Sequence, residues 1–195
     1  MLKRLIVAGV MLFSVASARA AILVSLDHIS SSSSSFDWVY DVRLEPGEFL
    51  TKGNFFTVYD FKGLENATWT PDSGPAVTGR TWDTTTQGTG NTPALVVPVD
   101  SAGISNVTVT LKDGENIVPN PQQPSVLLGQ LTLTTETDVV GPRINFTSLS
   151  KQQGLATDEF TIGTVSGPVP EPATVSILGL GLLAATAVGL RRRKG

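Results

Sequence analysis

Runs of alternating apolar and polar residues, Gly, Pro and Ser turn signals between them, and no amphipathic helical period through residues 21–169 predict an all-β domain, an antiparallel Greek-key sandwich. In residues 21–29, Ile22, Val24, Leu26 and His28 share one face, and the run ends in a serine tract from Ser30 to Ser35, read as a flexible connection. Residues 36–44 give the clearest strand: Phe36, Trp38, Tyr40, Val42 and Leu44 lie on one face, opposite Asp37, Asp41 and Arg43. That face is core, and Pro46-Gly47 ends the strand. Further strands are predicted at 54–61, 67–70 and 94–99. Val107, Val109 and Leu111 alternate with Thr108 and Thr110 before Asp113-Gly114 marks a hairpin turn. Residues 125–135, 143–146 and 160–165 complete a set of eight or nine strands, with a jelly-roll-like closure of the same strands as the alternative. Residues 71–93 and 114–124 read as extended loops, and 163–169 as a linker.

The charge of this middle portion differs from that of the whole chain. Residues 21–169 hold sixteen Asp and Glu against seven Lys and Arg, a net of −9, whereas the 195-residue chain carries −3, because the remaining cations cluster at its two ends. Such a surface repels nucleic acid and anionic lipid. There is no cysteine, so stability rests on the core rather than on disulfides, and thiol nucleophiles and Cys/His zinc sites are excluded.

One histidine excludes a two-histidine metal centre. His28 beside Asp27 invites comparison with a Ser-His-Asp arrangement, but neighbouring strand residues point to opposite faces, so His28 is expected to be a partly buried structural residue. Glu45 with Glu48, and Asp158 with Glu159, are the carboxylate pairs a glycosidase would need; their expected role is solvated turn charge. Asp113, Glu115 and Asn116 place three oxygen side chains in one turn and are the candidate ligands for Ca²⁺, although the D-x-D-x-D-G pattern of a calcium loop is missing. Trp69 and Trp82, flanked by Thr and Asp, are the candidate sugar-stacking platform, with packing under the 71–93 loop as the alternative. No catalytic residue is assigned; the reading is of a protein that is not an enzyme.

Both ends of the chain carry targeting signals. Lys3 and Arg4, the apolar run 5–15 and Ala18-Arg19-Ala20 have the order of a secretory signal peptide over residues 1–20, cut by signal peptidase after Ala20. At the other end stand Val169, Pro170, Glu171 and Pro172, an uncharged run over 173–190, and Arg191, Arg192, Arg193 and Lys194. Eighteen residues at about 1.5 Å rise give roughly 27 Å, enough for a transmembrane helix across a hydrocarbon core of about 30 Å. The terminal cations favour the cytoplasmic side, which puts the body outside. The chain therefore divides into a signal peptide (1–20), a sandwich domain (21–166) and a tail (167–195).

This order of parts, a Pro-Glu-Pro box followed by a Gly-containing apolar helix and a terminal Arg cluster, resembles the PEP-CTERM sorting signal of Gram-negative bacteria. The resemblance covers residues 169–194. It implies recognition by an exosortase, a membrane-embedded cysteine transpeptidase-like enzyme acting near Pro170-Glu171-Pro172, with the tail as its substrate. It also implies a place in an exopolysaccharide or biofilm matrix. The two prolines hold the box extended, as a processing enzyme requires, and Glu171 supplies one charge just outside the bilayer. The expectation is an exported surface or matrix protein without enzymatic activity. A carbohydrate- or calcium-binding adhesion module and a plain single-pass membrane protein are the alternatives.

Overall fold

The computed structural model of the protein describes residues 21–168, apart from residues 33, 121 and 123. The predicted signal peptide, with Ala18 and Ala20, and the tail from Val169 onward lie outside the described residues. The alternating segments become ten strands: β1 (Ile22–Ser32), β2 (Ser35–Leu44), β3 (Glu48–Phe49), β4 (Phe55–Phe61), β5 (Asn66–Pro71), β6 (Thr81–Gln87), β7 (Ser105–Asp113), β8 (Val126–Thr135), β9 (Val140–Gln152) and β10 (Asp158–Pro168). Among the described residues there is no helix long and apolar enough to cross a membrane.

The strands form two antiparallel sheets, one in the order β1-β2-β8-β5 and the other β10-β9-β4-β7-β6, with β3 paired to β9. Period-two patterning explains why the sheets face one another, since every second residue of the central strands points into the space between them. Trp38, Tyr40 and Val42 of β2 and Leu131 and Leu133 of β8 meet Phe56, Val58 and Phe61 of β4 and Val107, Val109 and Leu111 of β7 in a single buried cluster. The face predicted for β2 is thus the core face. At one seam of this sandwich-like body β1 runs beside β10, where the Ala21 backbone N–H donates to Thr161 Oγ1 at 2.9 Å. At the other seam, Trp69 of β5 lies against Trp82 of β6 with ring centroids 5.3 Å apart, and against Phe56 at 5.5 Å.

Several expectations are corrected. Residues 94–99 form no strand: Leu95 and Val97 are about nine-tenths exposed, and the segment runs outside the second sheet. The predicted loop 71–93 contains edge strand β6, in which one large apolar residue, Trp82, suffices to anchor the pairing with β7. Asp113-Gly114 is no hairpin turn, because β8 belongs to the opposite sheet from β7; Gly114 does take a positive φ of 115° in that crossing. The 114–124 loop sends Ile117 into the core through a bridge to Leu50. Ser31 and Ser32 belong to β1 and Ser35 to β2, so much of the serine tract is strand pairing rather than a flexible connection. Finally, the linker expected at 163–169 is strand: β10 stays paired with β9 up to Pro168, opposite Val140.

A polar layer that the sequence pattern does not announce pins the connection between β6 and β7. Tyr59 donates its hydroxyl to the Asn91 carbonyl at 2.6 Å and lies 2.9 Å from Thr92 Oγ1 and Thr147 Oγ1, and Thr57 Oγ1 donates to the same carbonyl. Asp60, in a bulge of β4 at φ 53°, accepts from Ser101 N and Oγ, while its own N–H donates to Asn106 Oδ1. Asn106 Nδ2 in turn donates to Asp100 Oδ1.

Two residues hold strands together in ways a measurement can check, Tyr40 between the sheets and Gly129 within one of them. Tyr40 is fully buried, which pushes its phenol well above its ordinary pKa, and its hydroxyl donates to the Ser166 carbonyl of β10 at 2.9 Å. Tyr40→Phe removes that hydrogen bond, and the expected loss is about 1 kcal/mol, read as a lower urea midpoint at unchanged m-value. Gly129, at the β8 bulge, has φ 154°, and a Cβ there would lie 2.4 Å from the Thr70 carbonyl oxygen and 2.9 Å from Trp69 Cζ2. Gly129→Ala is expected to loosen the β5–β8 pairing and lower the Tm more than Tyr40→Phe does.

Candidate functional site

The described part of the site is the pole from which the tail leaves. β10 ends there at Pro168, which is buried and lines a cavity of about 310 Å³ with Val99, Pro142, Arg143 and Lys62. Because strand pairing reaches Pro168, the Pro-Glu-Pro box starts two residues beyond a fixed point of the domain. Val169, Pro170, Glu171 and Pro172 of the box, the apolar run 173–190, and Arg191, Arg192, Arg193 and Lys194 all lie outside the described residues. A family model described as the PEP-CTERM protein-sorting motif matches residues 168–194.

The chain carries a PEP-CTERM sorting motif. The match begins at Pro168, the last residue of β10, so sorting motif and folded domain abut. Such a motif implies an exported protein targeted to exosortase, and a precursor anchored in the membrane at the cell envelope. No curated protein matches the chain.

The candidate residues within the domain are placed less as the sequence suggested. Trp69 and Trp82 do come together, with their rings tilted 56° to one another at the seam between the sheets, and Trp69 also packs against Phe56. Both are half-buried, and neither indole N–H has a hydrogen-bond partner among the described residues. Trp82 stands on a strand and not under a loop, and it reaches the core as a wall of the seam.

Asp113, Glu115 and Asn116 are divided between two cations of the chain itself. Lys52 Nζ lies 3.9 Å from Asp113, and Arg80 Nη2 lies 3.9 Å from Glu115. Arg80, whose side chain is only 13% exposed, also donates to the backbone carbonyls of Glu115 at 3.2 Å and Asn116 at 3.3 Å. Its guanidinium thus meets the oxygens of the turn from the inside. Among the described residues no group of three or more His, Asp and Glu side chains is gathered as metal ligands would be.

His28 is corrected twice. It is exposed rather than partly buried, and its Nδ1 lies 2.9 Å from Asp27 Oδ2. The rule of opposite faces fails here because the β1–β2 register shifts between Leu26 and His28, leaving Asp27 as the extra residue of a bulge.

Of the carboxylate pairs, Asp158 is held by Lys151. Glu48 is no solvated turn charge: it is 8% exposed on β3 and accepts from Ser150 Oγ at 3.1 Å. Burial raises its pKa above the ordinary value of 4.5; the Ser150 bond opposes this, and the neighbouring Glu159 carboxylate adds to it. With the folded pKa above the unfolded one, the folded state holds the extra proton in the window between them. The contribution of Glu48 to stability is therefore greatest below the ordinary carboxylate range and is lost as the pH rises through the raised pKa. Glu48→Gln keeps an acceptor for Ser150 and removes the charge. Thermal melts should show the variant more stable than the wild type at pH 7, with the gain gone near pH 3; equal melting curves at pH 7 would contradict the assignment.

Proposed function

We propose that this protein is an exported, non-enzymatic sandwich protein that serves as a structural or adhesive component of the cell surface or the extracellular polysaccharide matrix. In this reading signal peptidase removes residues 1–20, and 173–190 spans the inner membrane with the Arg cluster inside and the domain in the periplasm. Exosortase then acts at Pro170-Glu171-Pro172, and the domain works without a cofactor. The observation that carries the reading is the sorting motif that follows β10 directly. The net charge of −9 over 21–169 supports it further, since an acidic body stays off anionic lipid and nucleic acid once released. The half-buried Trp69–Trp82 pair and the Arg80 hydrogen bonds to the Glu115 and Asn116 carbonyls weigh against the carbohydrate- and calcium-binding alternatives.

The test is intact and C-terminal mass spectrometry of the protein from its native host, comparing wild type with Glu171→Ala. The expected result is a wild-type C-terminus near Pro170 and a variant that still carries Arg191 to Lys194. A wild-type chain ending at Gly195 would leave a plain single-pass protein and remove the sorting step.

A further inference from the structure

We propose that the pole of the domain around Pro168 docks onto the lipid surface of the bilayer that holds the precursor, through Leu95, Val97, Val99, Val139 and Val140. The proposal rests on the reading in which residues 173–190 cross that bilayer. Five of the nine large apolar residues exposed on the domain fall on these two segments: Leu95 is 92% exposed, Val97 89%, Val99 68%, Val139 56% and Val140 55%. The other four, Leu23, Val118, Leu155 and Ile162, lie on four separate elements or connections, and none of these carries more than one such residue. Concentrated exposed apolar surface marks an interaction site, whereas single exposed residues do not.

Val99 brings the first segment, and Val140 the second, to the point where the chain leaves the domain. Val140 is paired with Pro168 across β9 and β10, Val139 precedes it, and Val99 shares the cavity at Pro168 with Pro142 and Arg143. The segment that bears Leu95, Val97 and Val99 is held at both ends. Asn91 is fixed at one end by Tyr59 and Thr57, and at the other Asp100 accepts from Asn106 while Ser101 donates to Asp60. The aliphatic residues are thus presented on an anchored segment although nothing in the fold covers them.

The length of chain beyond the domain says what does. Five Cα-to-Cα steps lead from Pro168 to Ala173, the first residue of the apolar run, and they reach at most about 18 Å. The headgroup layer fills roughly 5–7 Å of that distance. The Pro168 pole therefore cannot leave the neighbourhood of the lipid surface while the tail is in the bilayer, and no other part of the domain is so confined. Charge does not drive the contact, because Lys62 and Arg143 at this pole are matched by Asp60, Glu136 and Asp138. The attraction is shallow insertion of aliphatic side chains, weak alone and effective only because the tether makes it intramolecular. Docking would hold the Pro-Glu-Pro box at headgroup height, and a cut within the box would end it.

The chain has no cysteine, so one introduced cysteine takes one label. The full chain, reconstituted into phosphatidylcholine vesicles, would carry an environment-sensitive fluorophore at Val97→Cys or Val139→Cys. Leu155→Cys, at the far end of the β9–β10 hairpin, and Leu182→Cys, in the tail, serve as references, each in vesicles with lipids brominated at shallow or deep positions. The expected result is a blue shift and loss of emission with shallow bromines at Val97 and Val139, no change at Leu155, loss with deep bromines at Leu182, and little dependence on salt. Quenching at Leu182 with none at Val97 and Val139 would overturn the docking and leave the anchored tail standing. No quenching at Leu182 would overturn the anchoring and the docking together. A blue shift at Val97 and Val139 that bromines do not quench and that grows with protein density would assign the patch to contact between copies and overturn the lipid assignment.

Discussion

The bulge at Asp60 is the constraint from which the architecture of the exit pole follows. Phe56 and Val58 face the core, so strict alternation would send residue 60 inward and Phe61 out. The extra residue in β4 between Val58 and Phe61 reverses that parity and turns the Phe61 ring inward. There it meets Trp38 at 6.1 Å and Tyr40 at 6.4 Å, both edge-on, and joins the central strand of one sheet to β2 of the other. A non-glycine residue at φ 53° is unfavourable, and Asp60 is held there by Asn106 and Ser101. The same hydrogen bonds fix the end of the 88–104 connection. One local distortion thus sets the core at this pole and the course of the chain outside it.

Polar contacts of this kind replace what cysteine would otherwise provide. With no disulfide in the chain, the long β6–β7 connection is anchored by the hydroxyls of Thr57, Tyr59 and Thr147 on the outer face of the second sheet. Thr57, Thr108 and Thr147 are fully buried although they stand on the face away from the core, because this connection lies over them. Buried hydroxyls in mutual contact resist slippage, since each loses its partner if the segment moves.

That layer also explains where sequence patterning succeeded and where it did not. β2 was legible because Trp38, Tyr40, Val42 and Leu44, the apolar residues at every second position, are the ones buried completely against the other sheet. Residues 94–99 have the composition of a strand, yet the second sheet offers free edges only at β10 and β6, and the segment is held by its ends rather than by pairing. Composition reports what a segment could bury, not whether an edge is free to receive it. β6 failed in the opposite sense: TWDTTTQ looks polar, but an edge strand needs one anchor, and Trp82 finds it across the seam in Trp69. The sorting motif was readable because its parts are contiguous, whereas the Asp27–His28 contact and the Arg80 turn depend on a bulge and on residues about 35 positions apart.

The absence of a linker before the motif has a mechanical consequence. A flexible spacer would let the domain tumble while the box met its enzyme at any orientation. Here the chain is still paired with β9 at Ser166, and Pro168 is buried and paired with Val140, so the described domain holds the chain up to the first residue of the matched motif. The orientation of the domain and the presentation of Glu171 are then coupled. Whatever tilts the Pro168 pole also moves the box, and the prolines on either side of Glu171 transmit that tilt because they restrict the backbone between them. An acidic body at net −9 is repelled by anionic headgroups over most of its surface. The only pole that is both tethered and aliphatic is the one that approaches, so the sandwich itself helps decide how the tail is offered for processing.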